Sequence, residues 1–273
     1  PWASFRGNRA SEGADGQGAI VEWDGTTDHN VRWKKPSPGV ANSSPVVWGD
    51  RVFVTTALPF GDSLTPTYGD SRGAHDVVPI TQVHKFIVLA VSRRNGAILW
   101  QKTVHEEFPH EGAHYTSSLA SPSAVTDGEL LFAFFGSRGL NCLDLDGEPK
   151  WQVDLGKMHP LHAHGEGSSP VLHHDTIVVL WDHEGPSFLA AFDKRTGEER
   201  WKVTREGLSS WSTPIVVEHN GEPQVIVSGS KRVMAYDLAT GKLLWQREGL
   251  SVENVVATPV AGHGMVYAGS TYD

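Results

Sequence analysis

Cysteine is almost missing from this chain. Cys142 is the single one among 273 residues, which excludes any internal disulfide and any cysteine-based zinc centre. It lies in the apolar pattern Leu140-Asn-Cys-Leu143, as a buried structural thiol would. Long apolar runs are missing too: none approaches the roughly 18 residues of a membrane-crossing helix, so no helical span is expected. Basic charge is scarce, with 23 Lys and Arg against 32 Asp and Glu for a net charge of −9, and no basic run offsets it. Affinity for nucleic acid comes largely from Lys and Arg neutralising phosphates, so no nucleic-acid partner is expected. There is no P-loop, no Gly-x-Ser-x-Gly elbow and no Gly-x-Gly-x-x-Gly opening a helix after a strand, which removes nucleotide-binding and α/β-hydrolase readings. The chain starts at Pro1 without methionine, basic n-region or apolar h-region, which predicts a processed or trimmed N-terminus and permits export.

What is abundant is punctuation, with 29 glycines and 16 prolines. Four times a tryptophan comes after a glycine that closes a polar turn: Ser92-Arg-Arg-Asn-Gly96 before Trp100, Asp144-Leu-Asp-Gly147 before Trp151, Asp193-Lys-Arg-Thr-Gly197 before Trp201 and Asp237-Leu-Ala-Thr-Gly241 before Trp245. The prolines that open later units, Pro122, Pro170, Pro214 and Pro259, are spaced 48, 44 and 45 residues apart. Periods of this size mark solenoids, propellers or arrays. Each unit has room for four short strands, read from alternation and β-propensity. In the third unit these are Pro170-Val-Leu, Thr176 to Trp181, Phe188 to Phe192 and Glu198 to Trp201. A lone four-stranded blade cannot cover both faces, whereas radial stacking lets one large aromatic per unit fill the gap to a neighbour. The expected fold is therefore an all-β β-propeller of four-stranded antiparallel blades. The expected boundaries are an irregular lead-in at 1–30, blades at about 37–103, 116–153, 165–203 and 210–248, and a partial blade at 255–273. Within the lead-in, Ile20-Val-Glu-Trp23 reads as a short strand.

The Gly-x-x-x-Trp units, with Ser43-Ser-Pro-Val-Val-Trp-Gly-Asp-Arg-Val-Phe-Val54, resemble the pyrroloquinoline-quinone-like, tryptophan-docking repeat β-propellers. Phrases such as Phe134-Phe-Gly-Ser-Arg-Gly139 and Gly165-Glu-Gly-Ser-Ser-Pro170 are similar to those of exported, uncharacterised members common in planctomycete-type bacteria. The resemblance implies a ring of seven or eight blades, of which this chain would be a fragment. A compact five-bladed ring closed by strands around Ile20–Trp23 and Val31–Lys35 is the rival. The resemblance also implies either scaffold members, which bind a protein or carbohydrate partner in outer-membrane assembly, or quinoprotein oxidoreductases. The latter use a pair of adjacent cysteines beside the quinone with a calcium or lanthanide ion. Cys142 stands alone, so the quinone is the less favoured cofactor and a divalent metal the more favoured one.

Antiparallel order sends the loop between second and third strands, and the connector between blades, to one face. By that rule His75, His84, His105, His110, His114, His159, His162, His164 and His183 share a face, nine of the fourteen histidines. Loops on a rigid scaffold commonly carry ligand sites. His162, His164 and Glu166 of one connector, facing His105, His110 and His114 of the adjacent one with Glu106, Glu107 and Glu111, form a candidate metal site of imidazoles and carboxylates. Asp182, His183, Glu184, Tyr115 and Arg138 are candidates for acid–base work on the same face, so the alternative to a binding scaffold is a metal- or quinone-dependent oxidoreductase, hydrolase or lyase with its site at the His-rich channel mouth. His173-His-Asp175 reads as a turn, and Asn42-Ser-Ser44 as a glycosylation pattern pressed against a strand-opening proline.

Overall fold

The protein is described by a computed structural model covering residues 1–7, 20–69, 71, 73–251 and 254–270. Residues 8–19 of the expected lead-in and 271–273 of the expected partial blade lie outside them. Blade I consists of Val46–Trp48, Arg51–Phe60, Val83–Ser92 and Ile98–Glu107. Blade II consists of Val125–Thr126, Leu130–Phe134, Leu140–Asp144 and Pro149–Val153. Blade III consists of Val171–His173, Thr176–Trp181, Ser187–Asp193 and Glu199–Arg205. Blade IV consists of Ile215–His219, Glu222–Gly229, Arg232–Asp237 and Leu243–Glu248. In each sheet the strands pair antiparallel in chain order, and the first strands of successive blades lie side by side. Val260–Gly262 and Met265–Tyr267 pair as the opening of a further blade.

Radial stacking is visible in the burial. Thr176–Trp181 and Leu130–Phe134 are buried at every residue, because both faces of each strand are covered by other blades. Phe132 and Phe134 turn toward Ile177, Val179 and Trp181 of blade III, while Leu131, Ala133 and Phe135 turn toward Phe53, Phe86 and Val88 of blade I. Period-two alternation thus feeds two cores from one strand.

Three of the four repeat tryptophans reach into the next blade. Trp100 Nε1 donates to the Leu145 carbonyl at 2.9 Å, Trp151 to Lys194 at 3.0 Å and Trp201 to Leu238 at 2.8 Å. Each ring lies against the glycine of that turn. A Cβ on Gly197 would meet the Trp151 ring at 2.7 Å, and one on Gly241 would meet the Trp201 ring at 2.6 Å, with φ of +74° and +72°. Only glycine meets both demands. The strand aims its tryptophan with a β-bulge: the pairing skips Leu99, Lys150, Arg200 and Leu244, the residue just before each Trp.

The lead-in departs from the expected strands. Ile20, Val21 and Trp23 are exposed and outside any strand. Trp33, although not in a strand, lies on Gly96 and donates to the Arg93 carbonyl at 2.9 Å, so it serves blade I as Trp100 serves blade II. Among the described residues the Val260–Gly262 and Met265–Tyr267 strands pair with each other and with nothing from 20–23 or 31–35, so these residues make no five-bladed closure.

Trp201 is buried and docked, whereas Trp245 bonds Gln224 of its own blade at 3.0 Å and is half-buried. Trp201→Ala should cost about 3–5 kcal/mol in urea unfolding, and Trp245→Ala clearly less. Equal losses would refute inter-blade docking as the source of the stability.

Candidate functional site

The two blade connectors and the blade I insertion converge on one face. The insertion strand Val77–Val78 pairs with Ala113–His114 of the first connector, Tyr115 N–H donates to the Asp76 carbonyl at 2.9 Å, and Ser71 Oγ donates to the Pro160 carbonyl of the second connector at 2.7 Å. The insertion thereby straps both connectors down.

At the strap four imidazoles gather, three of their four ring contacts edge to face and that of His162 with His164 tilted. Ring centroids are 4.8 Å apart for His75 and His162, 4.7 Å for His75 and His164, 4.6 Å for His114 and His164, and 5.3 Å for His162 and His164. His162 and Ala163 both take left-handed φ, 58° and 55°, a strained tight turn between the two histidines. His162 and His75 each place Nδ1 at 2.9 Å from the Gly73 carbonyl, and His114 Nδ1 meets Thr116 Oγ1 at 2.8 Å. His164 Nε2 is buried with no hydrogen-bond partner. Burial, then the neighbouring imidazoles of His114, His75 and His162, push the pKa of His164 down.

The other predicted ligands settle elsewhere on this face. His110 and Glu111 meet His159, with Glu111 Oε1 at 3.7 Å from His110 Nε2 and from His159 Nδ1. His105 lies 3.5 Å from Glu107. Glu166 is held by Ser137, whose amide donates to it at 2.8 Å and whose hydroxyl donates to its other oxygen. Arg138 is buried over the Phe86 ring, donates through Nε to Glu107 at 2.6 Å and places an NH1 at 3.5 Å from Glu166. A Cβ on Gly136 would overlap the Glu166 carboxylate, so the Gly-Ser-Arg phrase is a carboxylate cradle.

Asp182, His183 and Glu184 tie one loop of blade III to its own last strand and to the connectors on either side. Arg205 bonds Asp182 with both Nε and NH2, at 2.8 and 2.9 Å, and donates to Tyr236 Oη at 2.6 Å, all within the core. His183 Nδ1 accepts the amides of His159 at 3.0 Å and Gly185 at 3.2 Å, which places its ring proton on Nε2 when neutral. Glu184 accepts the Ser209 amide and hydroxyl at 3.1 and 2.7 Å. Tyr115 is 67% exposed. Strand parity puts the histidines on the right face but gives no sign of Arg205 and Ser209, the partners of Asp182 and Glu184. Arg205 sits four residues past the repeat tryptophan, where the sequence grammar is silent.

Cys142 lies 1% exposed in the core between blades II and III, where burial pushes its thiol up to about 12. A quinone clamped by adjacent cysteines does not fit these residues. On the opposite face His173 and His174 meet edge to face, ring centroids 4.3 Å apart, beside Glu218.

Arg205→Met leaves a buried, unpaired Asp182 and should cost about 3–5 kcal/mol, much of it regained in the double variant Asp182→Leu/Arg205→Met. A double variant no more stable than Arg205→Met would refute the paired-charge account. His84, His164 and His183 all have pKa lowered by burial from 6.5. The unfolded chain therefore takes up protons first on acidification, so this stability is full above about pH 6.5 and is lost as pH falls below it. Melting temperature should drop between pH 7 and 5, with a shallower slope in His164→Gln; an unchanged slope would exclude His164 as a contributor.

Solved structures similar to this one share its fold at low identity. A quinohemoprotein alcohol dehydrogenase from Pseudomonas putida HK5 matches at 13% identity and TM-score 0.50, over 80% of this chain and 35% of that one. A europium-containing methanol dehydrogenase matches at 12% and 0.51, over 78% and 42%. BamB from Moraxella catarrhalis matches at 14% and 0.48, over 89% and 73%. The chain thus spans well under half the length of either dehydrogenase. No curated protein sequence matches it. The family model described as outer membrane protein assembly factor BamB matches residues 84–273, and with its docked Gly–Trp blades the chain belongs to that family of quinone-repeat β-propellers.

Proposed function

We propose that this chain is an exported binding propeller whose connector face docks a protein partner. The observation that carries the reading is where the polar groups go. Asp182, Glu184, His183, Glu166 and Arg138, the groups equipped for acid–base work, are engaged in bonds that hold connectors to blades. Away from them, where the insertion meets the first connector, a groove opens whose lining mixes apolar and aromatic side chains with His84, Gln82, Ser117 and Ser118. This groove of about 360 Å³ is bordered by Val40, Pro59, Val78, Ile80, Tyr115 and Leu119. Val40, Val78 and Tyr115 are 59%, 51% and 67% exposed. Exposed apolar surface around an aromatic anchor, on a strapped and rigid support, is the composition of a protein interface. The family description, an assembly factor, supports the same reading.

Photocrosslinking residues at positions 78 and 115 in the native host should give adducts with a discrete protein, while position 219, on the opposite face, should not. Tyr115→Ala should weaken the purified complex by about 2 kcal/mol, roughly thirtyfold. Equal adducts at 219, or none at 78 and 115, would overturn the reading. Glycan binding that depends on Tyr115, without a protein adduct, would replace the protein partner with a carbohydrate.

A further inference from the structure

Among the described residues, two groups bring three ligand atoms of the metal-binding kinds within 4.8 Å of one another: His110, Glu111 and His159 on the connector face, and His173, His174 and Glu218 on the other. The two are alike in number and unlike in setting. Glu218 is 63% exposed at its side chain, and His174 is exposed. Glu111 is 4% exposed, and the backbone of Gly69 packs so close to it that a Cβ there would stand 2.8 Å from Glu111 Oε2. The first group is therefore built into the fold, and the second lies on its surface.

We propose that His110, Glu111 and His159 form a binding site for a divalent transition-metal ion, with zinc as the reference cation. Glu111 Oε1 stands 3.7 Å from His159 Nδ1, longer than a hydrogen bond, and 3.7 Å from His110 Nε2, the ring nitrogen turned to the Met158 carbonyl. Two ligands of one tetrahedral ion, each at about 2.0–2.1 Å, stand about 3.3 Å apart. A small contraction therefore suffices to bring Glu111 and His159 onto one ion, and the metal-binding atoms of the three residues lie within 4.8 Å of one another.

The surroundings are those of a ligand set. His110 donates Nε2–H to the Met158 carbonyl at 2.8 Å, which puts its lone pair on Nδ1, and Nδ1 is buried with no hydrogen-bond partner. A backbone carbonyl fixing one ring nitrogen so that the other can ligate is the usual outer support of a metal-binding imidazole. The backbone of His159 is pinned on both sides, its amide donating to His183 Nδ1 at 3.0 Å and its carbonyl accepting the Glu184 amide at 3.0 Å. Ligands come from two connectors, so the ion would tie blade I–II to blade II–III at the surface the insertion straps. The His159 side chain is 48% exposed, which leaves an open coordination position toward solvent. Two histidines, one carboxylate and an open position match the donor set that zinc accepts in three-ligand sites. The site stands independently of the partner-docking reading.

The test uses the full chain, stripped with chelator and titrated with Zn2+ by calorimetry and with Co2+ by visible ligand-field absorption. The expected result is one ion per chain, with a tetrahedral or five-coordinate cobalt spectrum and a raised melting temperature. His159→Ala, at a half-exposed side chain, should lower affinity at least tenfold while circular dichroism stays native. Glu111→Gln, which keeps the shape of the buried side chain, should do the same. His173→Ala/His174→Ala should leave binding unchanged. No binding by the parent chain, binding that survives His159→Ala, or binding lost in His173→Ala/His174→Ala would overturn the proposal.

Discussion

The structure rests on one repeated contact: an indole laid flat on a glycine of the next blade, with its N–H given to a carbonyl of the same turn. The contact joins an apolar term with a directional one. The ring covers the bare backbone that a side chain would otherwise block, and the 2.8–3.0 Å bonds from Trp100, Trp151 and Trp201 fix how far each blade rotates past its neighbour. With that rotation set, the second and third strands are covered on both sides, and runs such as Thr176–Trp181 are buried without a break. The aspartate at the start of three of the four turns stabilises the same feature from within. Asp193 accepts the Arg195 and Thr196 amides at 2.8 and 3.0 Å, and Asp237 accepts the Thr240 amide at 2.8 Å.

Much of this is legible in the sequence because the demands are local. A turn needing positive φ selects glycine, a gap between blades selects tryptophan, and the strands between them alternate. The third unit illustrates it, with its expected Thr176–Trp181 strand reproduced and Phe188–Phe192 extended by one residue at each end. The bulge before each tryptophan is not legible, since skipping Arg200 or Leu244 leaves no mark in residue type. Trp33 docks as the repeat tryptophans do, yet its flanking residues need no strand for it. Hydrophobic Ile20 and Val21 have the composition of a strand but find no partner, and both are exposed.

The site is legible as a face and not as an arrangement. Strand parity is topological, so it sorts the histidines correctly. Which histidine meets which carboxylate depends on the path of connectors that carry no periodicity. His114, His162 and His164 gather with His75, brought by the insertion, whereas His110 turns to Glu111 and His159. Asp182 has the sequence setting of an exposed acid in a charged loop. Its partner Arg205 lies on the last strand of the same blade, and the pair is buried against Met234 and Tyr236 of blade IV.

The docking contact also has a direction. Trp33 of the lead-in holds the turn of blade I, Trp100 that of blade II, Trp151 that of blade III and Trp201 that of blade IV, so blades II to IV are each gripped by the blade before. A chain of such one-way grips behaves as a ratchet of nearest neighbours. Damage at one tryptophan frees the turn downstream of it and leaves the grip upstream intact. Blades emerging in chain order would each find their holder already folded.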